Sequence, residues 1–342
     1  MSLREVGICL IGIGRAGTVH ARNYAFKLRG TKIVAVVDTD IDAAKACAEE
    51  VGAKFYYSDH RDALKLKEVD AVCISTPTFT HARIAVDAAE SGKHVFCEKP
   101  MALTLKEADE MISAARRQHV VLQIGFMRRF SPEFQAAKRQ LSEGAIGKLT
   151  LIKSTGRGPG LPPAWACDPR TSIGMLAEVN SHDFDTARWL MESEVRRLYA
   201  EAEALAVPEL KERYEDFYDR SVVILRFRNK TLGMIDGACP AKYGYDARVE
   251  ILGTEGVMLV GELKHHALVT CTKERGAYSS FFPSWRDRFS EGYLEEDKHF
   301  IDCIANDKEP LASGEDGRAV LELTLAAAKS LKTGEPVTLP LE

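Results

Sequence analysis

No stretch of the chain is apolar for long enough to cross a membrane. The longest plain apolar runs, such as Ile33–Val37, fall far short of the ~20 residues that a membrane helix needs. Cysteine occurs eight times, at positions 9, 47, 73, 97, 167, 239, 271 and 303, but no two stand at the two-residue gap of a structural zinc site. Several lie inside apolar runs, where a free thiol behaves as a small hydrophobe. The first residues lead almost straight into a strand-like run, without the basic and long apolar parts of an export signal. A reducing, cytoplasmic setting is therefore expected. Positive charge is not in excess either: 46 basic residues face 50 acidic ones, for a net charge of -4. Proteins that live on phosphate backbones carry the opposite sign, so nucleic acid is not an expected partner. There is no internal repeat and no low-complexity segment. What is present is an ordinary folded composition, 45% hydrophobic and 28% charged. At 342 residues the chain is longer than one core usually fills, which points to two domains.

Residues 1–125 alternate apolar runs (Val6–Ile11, Ile33–Val37, Ala71–Ile74, Val95–Cys97, Val120–Ile124) with helical patterns near 16–28, 40–51, 80–91 and 104–118. The runs are continuously apolar, as in a parallel sheet covered on both faces. This predicts an α/β domain with a doubly wound parallel sheet of the Rossmann type. Over 126–342 the rhythm changes. A helical segment at 174–191 is followed by strand-like segments Ser221–Phe227, Thr231–Gly237, Ala247–Leu252, Gly256–Leu259 and Leu268–Cys271. Strands in succession predict an α+β domain with a largely antiparallel sheet. A last helix near 316–332 stops at Thr333-Gly334-Glu335-Pro336 and is expected to pack back on the first domain.

The first apolar run leads into Gly12-Ile13-Gly14-Arg15-Ala16-Gly17, and a helical pattern follows. Between a strand and a helix this spacing signals a dinucleotide site. Gly12 serves the tight turn, Gly14 lets a pyrophosphate reach the backbone, and Gly17 lets helix and strand pack closely. Arg15, Ala16 and the helix start then face the phosphates with free N–H groups. Asp38 ends the second run, about where an acid that binds the ribose hydroxyls belongs. Neither Thr39 nor Asp40 offers a cation for a 2′-phosphate, so the expected cofactor is NAD. The alternative for Asp38 or Asp40 is to cap the next helix.

Two further segments complete a pattern. Ile74-Ser75-Thr76-Pro77 ends one strand, with His81 beyond it, and Cys97-Glu98-Lys99-Pro100 ends the next. With the glycine loop, these resemble the Gfo/Idh/MocA family of NAD(P)-dependent sugar and polyol oxidoreductases. The resemblance implies that Lys99 is catalytic beside the nicotinamide, that Thr76, Pro77, His81 and Glu98 surround the cofactor, and that the Lys99–Pro100 bond is cis. Lys99 also falls at the carboxyl end of a strand, where open α/β sheets bind their ligands. The family's second signature reads Gly174-Met175-Leu176-Ala177-Glu178-Val179-Asn180-Ser181-His182-Asp183-Phe184-Asp185. On one continuous helix, Glu178, His182 and Asp185 share a face, and two acids flanking a histidine suit a polyol pocket better than a core. The family usually has aspartate where this chain has Glu178.

Gly125-Phe126-Met127-Arg128-Arg129-Phe130, Tyr243-Gly244-Tyr245-Asp246 and Trp285-Arg286-Asp287-Arg288-Phe289 resemble the inositol 2-dehydrogenase branch of that family. Gly156-Arg157-Gly158-Pro159-Gly160 departs from it. The expected reaction is oxidation of a ring hydroxyl of a cyclic polyol, myo-inositol first. His182 takes the hydroxyl proton, Lys99 stabilises the developing alkoxide, Glu178 supports the pair, and Arg129, Asp185 and Tyr245 bind hydroxyls. No metal is required. Such a site draws on both domains and belongs in the cleft between them. A homo-oligomer, tetramer or dimer, built through the antiparallel sheet is expected from the resemblance. The rival readings are a dehydrogenase of another sugar or nucleotide-sugar, an NAD-dependent glycosidase, and a non-catalytic NAD sensor.

Overall fold

The computed structural model describes residues 5–168 and 170–341. Residues 1–4 and 342, at the ends of the two expected domains, and residue 169 lie outside the described residues. The chain divides into two compact units, one formed by Met1–Phe130 with Glu291–Leu321 and the other by Ser131–Ser290 with Glu322–Glu342. Glu291–Leu321 thus belongs with the first unit, whereas a single boundary near residue 125 groups it with the second.

The first unit is built on β1 (Val6–Ile11), β2 (Thr31–Val37), β3 (Phe55–Tyr57), β4 (Ala71–Ile74), β5 (His94–Glu98) and β6 (Leu122–Gly125). They form one sheet in the order β3-β2-β1-β4-β5-β6, every pair parallel. The order reverses beside β1, so the loops after β1 and β4 open at the switch point where doubly wound sheets bind ligands. Local chemistry sets the flanking helices. Asp40 caps Ile41–Val51 by accepting from the N–H groups of Asp42 and Ala43, and Gly52 ends that helix in the left-handed conformation. Thr104 and Glu107 form a reciprocal capping box at the start of Leu105–Gln118. Ile8, Leu10, Val36, Cys73 and Phe96 make the core with Tyr24, and Phe300 joins them from the helix Ser290–Asn306. That helix returns to the first unit because its apolar face fits this core: Phe300 meets Phe96 edge-on at 5.8 Å.

The second unit contains β7 (Leu149–Arg157), β8 (Val195–Glu203), β9 (Arg220–Phe227), β10 (Leu232–Ala238), β11 (Asp246–Gly253), β12 (Val257–Val260), the small hairpin β13 (Thr270–Thr272) and β14 (Gly276–Tyr278), and β15 (Val337–Thr338). Its main sheet runs β12-β11-β7-β10-β9-β8-β15 and is antiparallel except between β7 and β10. The predicted fold class holds for both units. One sheet face is covered by the helix Ser181–Met191. On the other, Val222, Ile224 and Leu259 stand 46%, 54% and 74% exposed.

Candidate functional site

In the first unit the predicted nucleotide residues gather at the carboxyl ends of β1, β2, β4 and β5. Gly12 has φ +84°, a conformation L side chains resist, and a Cβ there would press to 2.8 Å on the turn after β4 at Ser75 and Thr76. A Cβ on Gly17 would run into the Gly12 carbonyl. Gly14 differs: a Cβ there would have no protein atom within 4 Å, so packing does not explain the glycine. Arg15 is exposed at the loop tip and Ala16 leads into the helix Gly17–Arg22. Asp40 does the capping, which leaves Asp38 for the loop. Asp38 Oδ2 accepts from the Ile13 N–H at 3.0 Å, and its Oδ1 from the Asp40 N–H at 3.0 Å.

The neighbouring turns are tied together from within. Pro77 opens a short turn, where the Thr80 hydroxyl donates to Thr76 Oγ1 at 2.6 Å. His81 is buried, with Nδ1 2.8 Å from the Pro100 carbonyl and Nε2 2.8 Å from that of Thr76. Burial lowers its pKa against the pull of those two carbonyls, so the ring, wedged between the β4 turn and the lysine turn, is neutral and donates its single N–H to one of them. Its expected place at the cofactor is therefore indirect. The same holds for Glu98, whose buried carboxylate accepts the Lys99 backbone N–H at 3.1 Å. Lys99 is half-buried and its bond to Pro100 is cis. Arg129 needs a correction. Its buried guanidinium donates to the Leu311 carbonyl at 2.6 Å and pairs with both oxygens of Asp316, at 3.1 and 2.9 Å. That geometry makes a structural tie within the unit rather than a hydroxyl-binding arm.

Sequence patterns missed the buried ionisable groups that surround Glu98 beneath the lysine turn: His20, Glu296 and Asp297. Both carboxyl oxygens of Glu296 are buried and make no hydrogen bond. Burial, reinforced by Glu98 and against the pull of His20, raises its pKa well above the usual carboxyl range. The folded state therefore keeps a proton that the unfolded chain releases near pH ~4.3. This contribution to stability is complete below that pH and is lost as pH rises toward the raised folded value. Glu296→Gln has no proton to lose. Relative to the parent protein its Tm is expected to gain at least about 2 °C between pH 5 and pH 9, the scale of roughly 1 kcal/mol at this size. Thermal unfolding across that range measures it, and a constant difference would mean that Glu296 is ionised in the fold.

In the second unit the expected continuous helix is two. Met175–Glu178 ends before Asn180, and Ser181–Met191 begins after it. The break cancels the i,i+4 relation between Glu178 and His182, while His182 and Asp185 keep their i,i+3 relation on one helix. Glu178 is held from elsewhere, accepting from the Ser172 hydroxyl at 2.8 Å. The helix is broken because its start is pinned to the sheet. Asn180 Nδ2 donates to Asp183 Oδ2 at 2.9 Å, and Asp183 Oδ1 accepts from the Ser154 hydroxyl at 2.6 Å. Gly156 on β7 and Gly237 on β10 make room, since a Cβ on either would overlap Asp183 or Asn180. Asp183 thus fixes the rotation of the helix and, with it, the directions of buried His182 and Asp185. Tyr245 is buried, its ring edge-on to Phe289 at 6.1 Å. Arg157, in the segment that departs from the expected pattern, pairs with Asp236 and donates to the Tyr243 hydroxyl at 3.2 Å, while Tyr243 donates to Asp246 at 2.7 Å.

Residues 6–126 match the model described as oxidoreductase family, NAD-binding Rossmann fold, and residues 138–339 the one described as oxidoreductase family, C-terminal alpha/beta domain. The chain belongs to the Gfo/Idh/MocA oxidoreductase family. Among Gfo/Idh/MocA proteins it is 34% identical over 338 residues to scyllo-inositol 2-dehydrogenase (NAD(+)) of Bacillus subtilis, covering 99% of this chain and 97% of that one. To Myo-inositol 2-dehydrogenase of Thermotoga maritima it is 35% identical over 332 residues, covering 97% and 98%. The crystal structure of scyllo-inositol dehydrogenase from Lactobacillus casei with bound cofactor NAD(H) and scyllo-inositol has a TM-score of 0.92 at 26% identity, covering 98% of this chain and 99% of that one. The cofactor of this Gfo/Idh/MocA member is NAD, and its own residues fit it. Gly14 leaves the space a pyrophosphate needs, and Asp38 places an acid beside the same loop.

Proposed function

We propose that this protein is an NAD-dependent dehydrogenase that oxidises one secondary hydroxyl of an inositol ring to the ketone, with myo-inositol as the first substrate. The observation that carries this assignment is the end-to-end likeness to inositol 2-dehydrogenases, which spans both units. NAD, when bound, supplies the hydride acceptor. The chain supplies the rest. His182 takes the hydroxyl proton near neutral pH. Lys99, as an ammonium, stabilises the negative charge that develops on the oxygen. Glu178, steadied by Ser172, supports the charge that His182 acquires. Asp185 and Tyr245 accept and donate to further ring hydroxyls. Gly12, Gly14, Arg15, Ala16 and Gly17 hold the pyrophosphate and Asp38 the ribose, while Thr76, Pro77, His81 and Glu98 shape the nicotinamide side.

We further propose a cytoplasmic, homo-oligomeric enzyme, tetramer or dimer. The cysteines are all free, and among the described residues no helix is long and apolar enough to cross a membrane. The exposed valine, isoleucine and leucine on the open sheet face are the kind of surface that copies of a chain bury.

A stereoisomer screen tests the substrate. The protein is assayed with myo-, scyllo- and D-chiro-inositol and common aldoses, with NAD and NADP separately, by absorbance of the reduced cofactor. The expected result is turnover of an inositol with NAD and little with NADP, because Asp38 repels a 2′-phosphate. Turnover of aldoses alone would replace inositol as substrate, and NADP preference would overturn the role of Asp38.

A further inference from the structure

Beneath the lysine turn, the first unit holds a chain of hydrogen bonds that the chemistry above does not use. His20 is wholly buried, and both its ring nitrogens face carboxylates. Nδ1 lies 2.7 Å from Asp297 Oδ1, and Nε2 lies 3.2 Å from Glu98 Oε1. Each carboxylate is held at its far oxygen too. Asn23 Nδ2 donates to Asp297 Oδ2 at 2.8 Å, and the Lys99 backbone N–H donates to Glu98 Oε2 at 3.1 Å. The ring is wedged between Phe96 at 4.9 Å and Tyr293 at 5.6 Å. Gly125, opposite Glu98 in the sheet, makes room for this carboxylate: a Cβ there would come 3.1 Å from Glu98 Cδ.

We propose that His20 is a positioning residue for Lys99: an imidazolium braced by Asp297, it clamps the Glu98 carboxylate against the backbone N–H of the lysine turn. The assignment rests on the reading of Lys99 as the cation of the reaction. Two acceptors face the ring, and a neutral imidazole has one N–H, so only the charged form satisfies both. The surroundings agree. Facing His20 are Glu98 from β5, Cys73 from β4, and Glu296 and Asp297 from the helix Ser290–Asn306, with Tyr24 beside Asp297. Burial pushes the Cys73 thiol up to about 12 and keeps Glu296 protonated. Two carboxylates, Glu98 and Asp297, then share one imidazolium. Burial opposes the charge on His20, but Asp297 and the hydrogen bonds to Asp297 and Glu98 outweigh it and hold its pKa well above the ordinary value. The ligand atoms of His20, Glu98 and Glu296 lie within 4.8 Å of one another, a spacing that also suits a divalent cation. A cation would need the Nε2 lone pair, which the Glu98 contact takes as an N–H donor.

The first measurement needs no variant. Nitrogen-15 NMR of the full-length protein labelled at histidine is expected to show one ring that keeps both N–H protons at pH 8. A set of nine rings all neutral at pH 8 would overturn the proposal, as would a stoichiometric divalent metal in the purified protein by elemental analysis. The second uses His20→Gln, whose side-chain amide still donates but carries no charge. Its kcat is expected to fall about 10- to 100-fold, the scale of a small misplacement of a catalytic group, with the Kd for NAD within about threefold. Loss of that resonance in the variant assigns it. Lys99→Ala is run beside it. Normal turnover of His20→Gln with Lys99→Ala inactive sinks the role of His20 and spares that of Lys99. Normal turnover of Lys99→Ala sinks the lysine first. If His20→Gln fails to fold, the NMR experiment on the parent protein decides.

Discussion

Lys99→Ala is expected to lower kcat with an inositol by about 10²–10³-fold, the loss seen when one preorganised donor to a developing oxyanion is removed. That corresponds to roughly 3–4 kcal/mol of transition-state stabilisation. The Kd for NAD should stay within about threefold, because the proposed cradle uses other residues: Gly12, Gly14 and Asp38. The fold should also survive. Lys99 is half-buried, and the hydrogen bond that fixes its turn comes from its backbone N–H, which alanine keeps. Lys99→Arg keeps the charge but spreads it over a planar fork on a longer arm, and restores only part of the rate. Steady-state kinetics and calorimetric titration with NAD separate the two effects. Near-normal turnover of Lys99→Ala would remove the lysine from the chemistry.

The parallel sheet was legible because each of its long strands is a bounded apolar run, and β1 and β4 run over the predicted residues. The same rule missed β7 and β8. They alternate, because only one sheet face is covered, and their polar residues interrupt the apolar runs on which that rule depends. The helix Ser290–Asn306 was hidden for a related reason. Tyr293, Phe300 and Cys303 lie on its buried face, but so do Glu296 and Asp297, and two adjacent acids break an apolar stripe. Acids at core positions of a helix were the available signal, since carboxylates are almost never fully buried without partners. Followed up, that signal leads to His20.

Motif spacing located the nucleotide loop and the lysine turn, because backbone geometry ties those residues to strand ends. It could not divide them into residues that face a ligand and residues that hold the others. His81, Glu98 and Arg129 are charged or titratable residues inside or beside motifs, and all three are turned to protein partners. Nor could spacing show the break at Asn180. That depends on a side chain, Asp183, reaching Ser154 on a strand 29 residues earlier.

Gly14→Val is expected to fold as the parent does and to lose at least about 100-fold in NAD affinity, roughly 2.7 kcal/mol. The two halves of this expectation have separate causes. Gly14 is exposed, is absent from the glycines with positive φ, and has no protein atom within 4 Å of a Cβ. A Cβ there meets neither strain nor collision, so the Tm without cofactor should move by no more than about 2 °C. The space it fills is the approach of the pyrophosphate to the backbone N–H groups, and two methyl groups there hold the phosphates out of hydrogen-bond reach. Gly17→Val is the contrasting variant. Its side chain would collide with the Gly12 carbonyl, so it should lower the Tm even without cofactor. If Gly14→Val binds NAD as tightly as the parent protein, the cofactor does not pass over this loop. If it unfolds instead, the open space at Gly14 is not there in solution. Only intact folding with lost binding supports the cradle, because it separates a glycine kept for a ligand from one kept for packing.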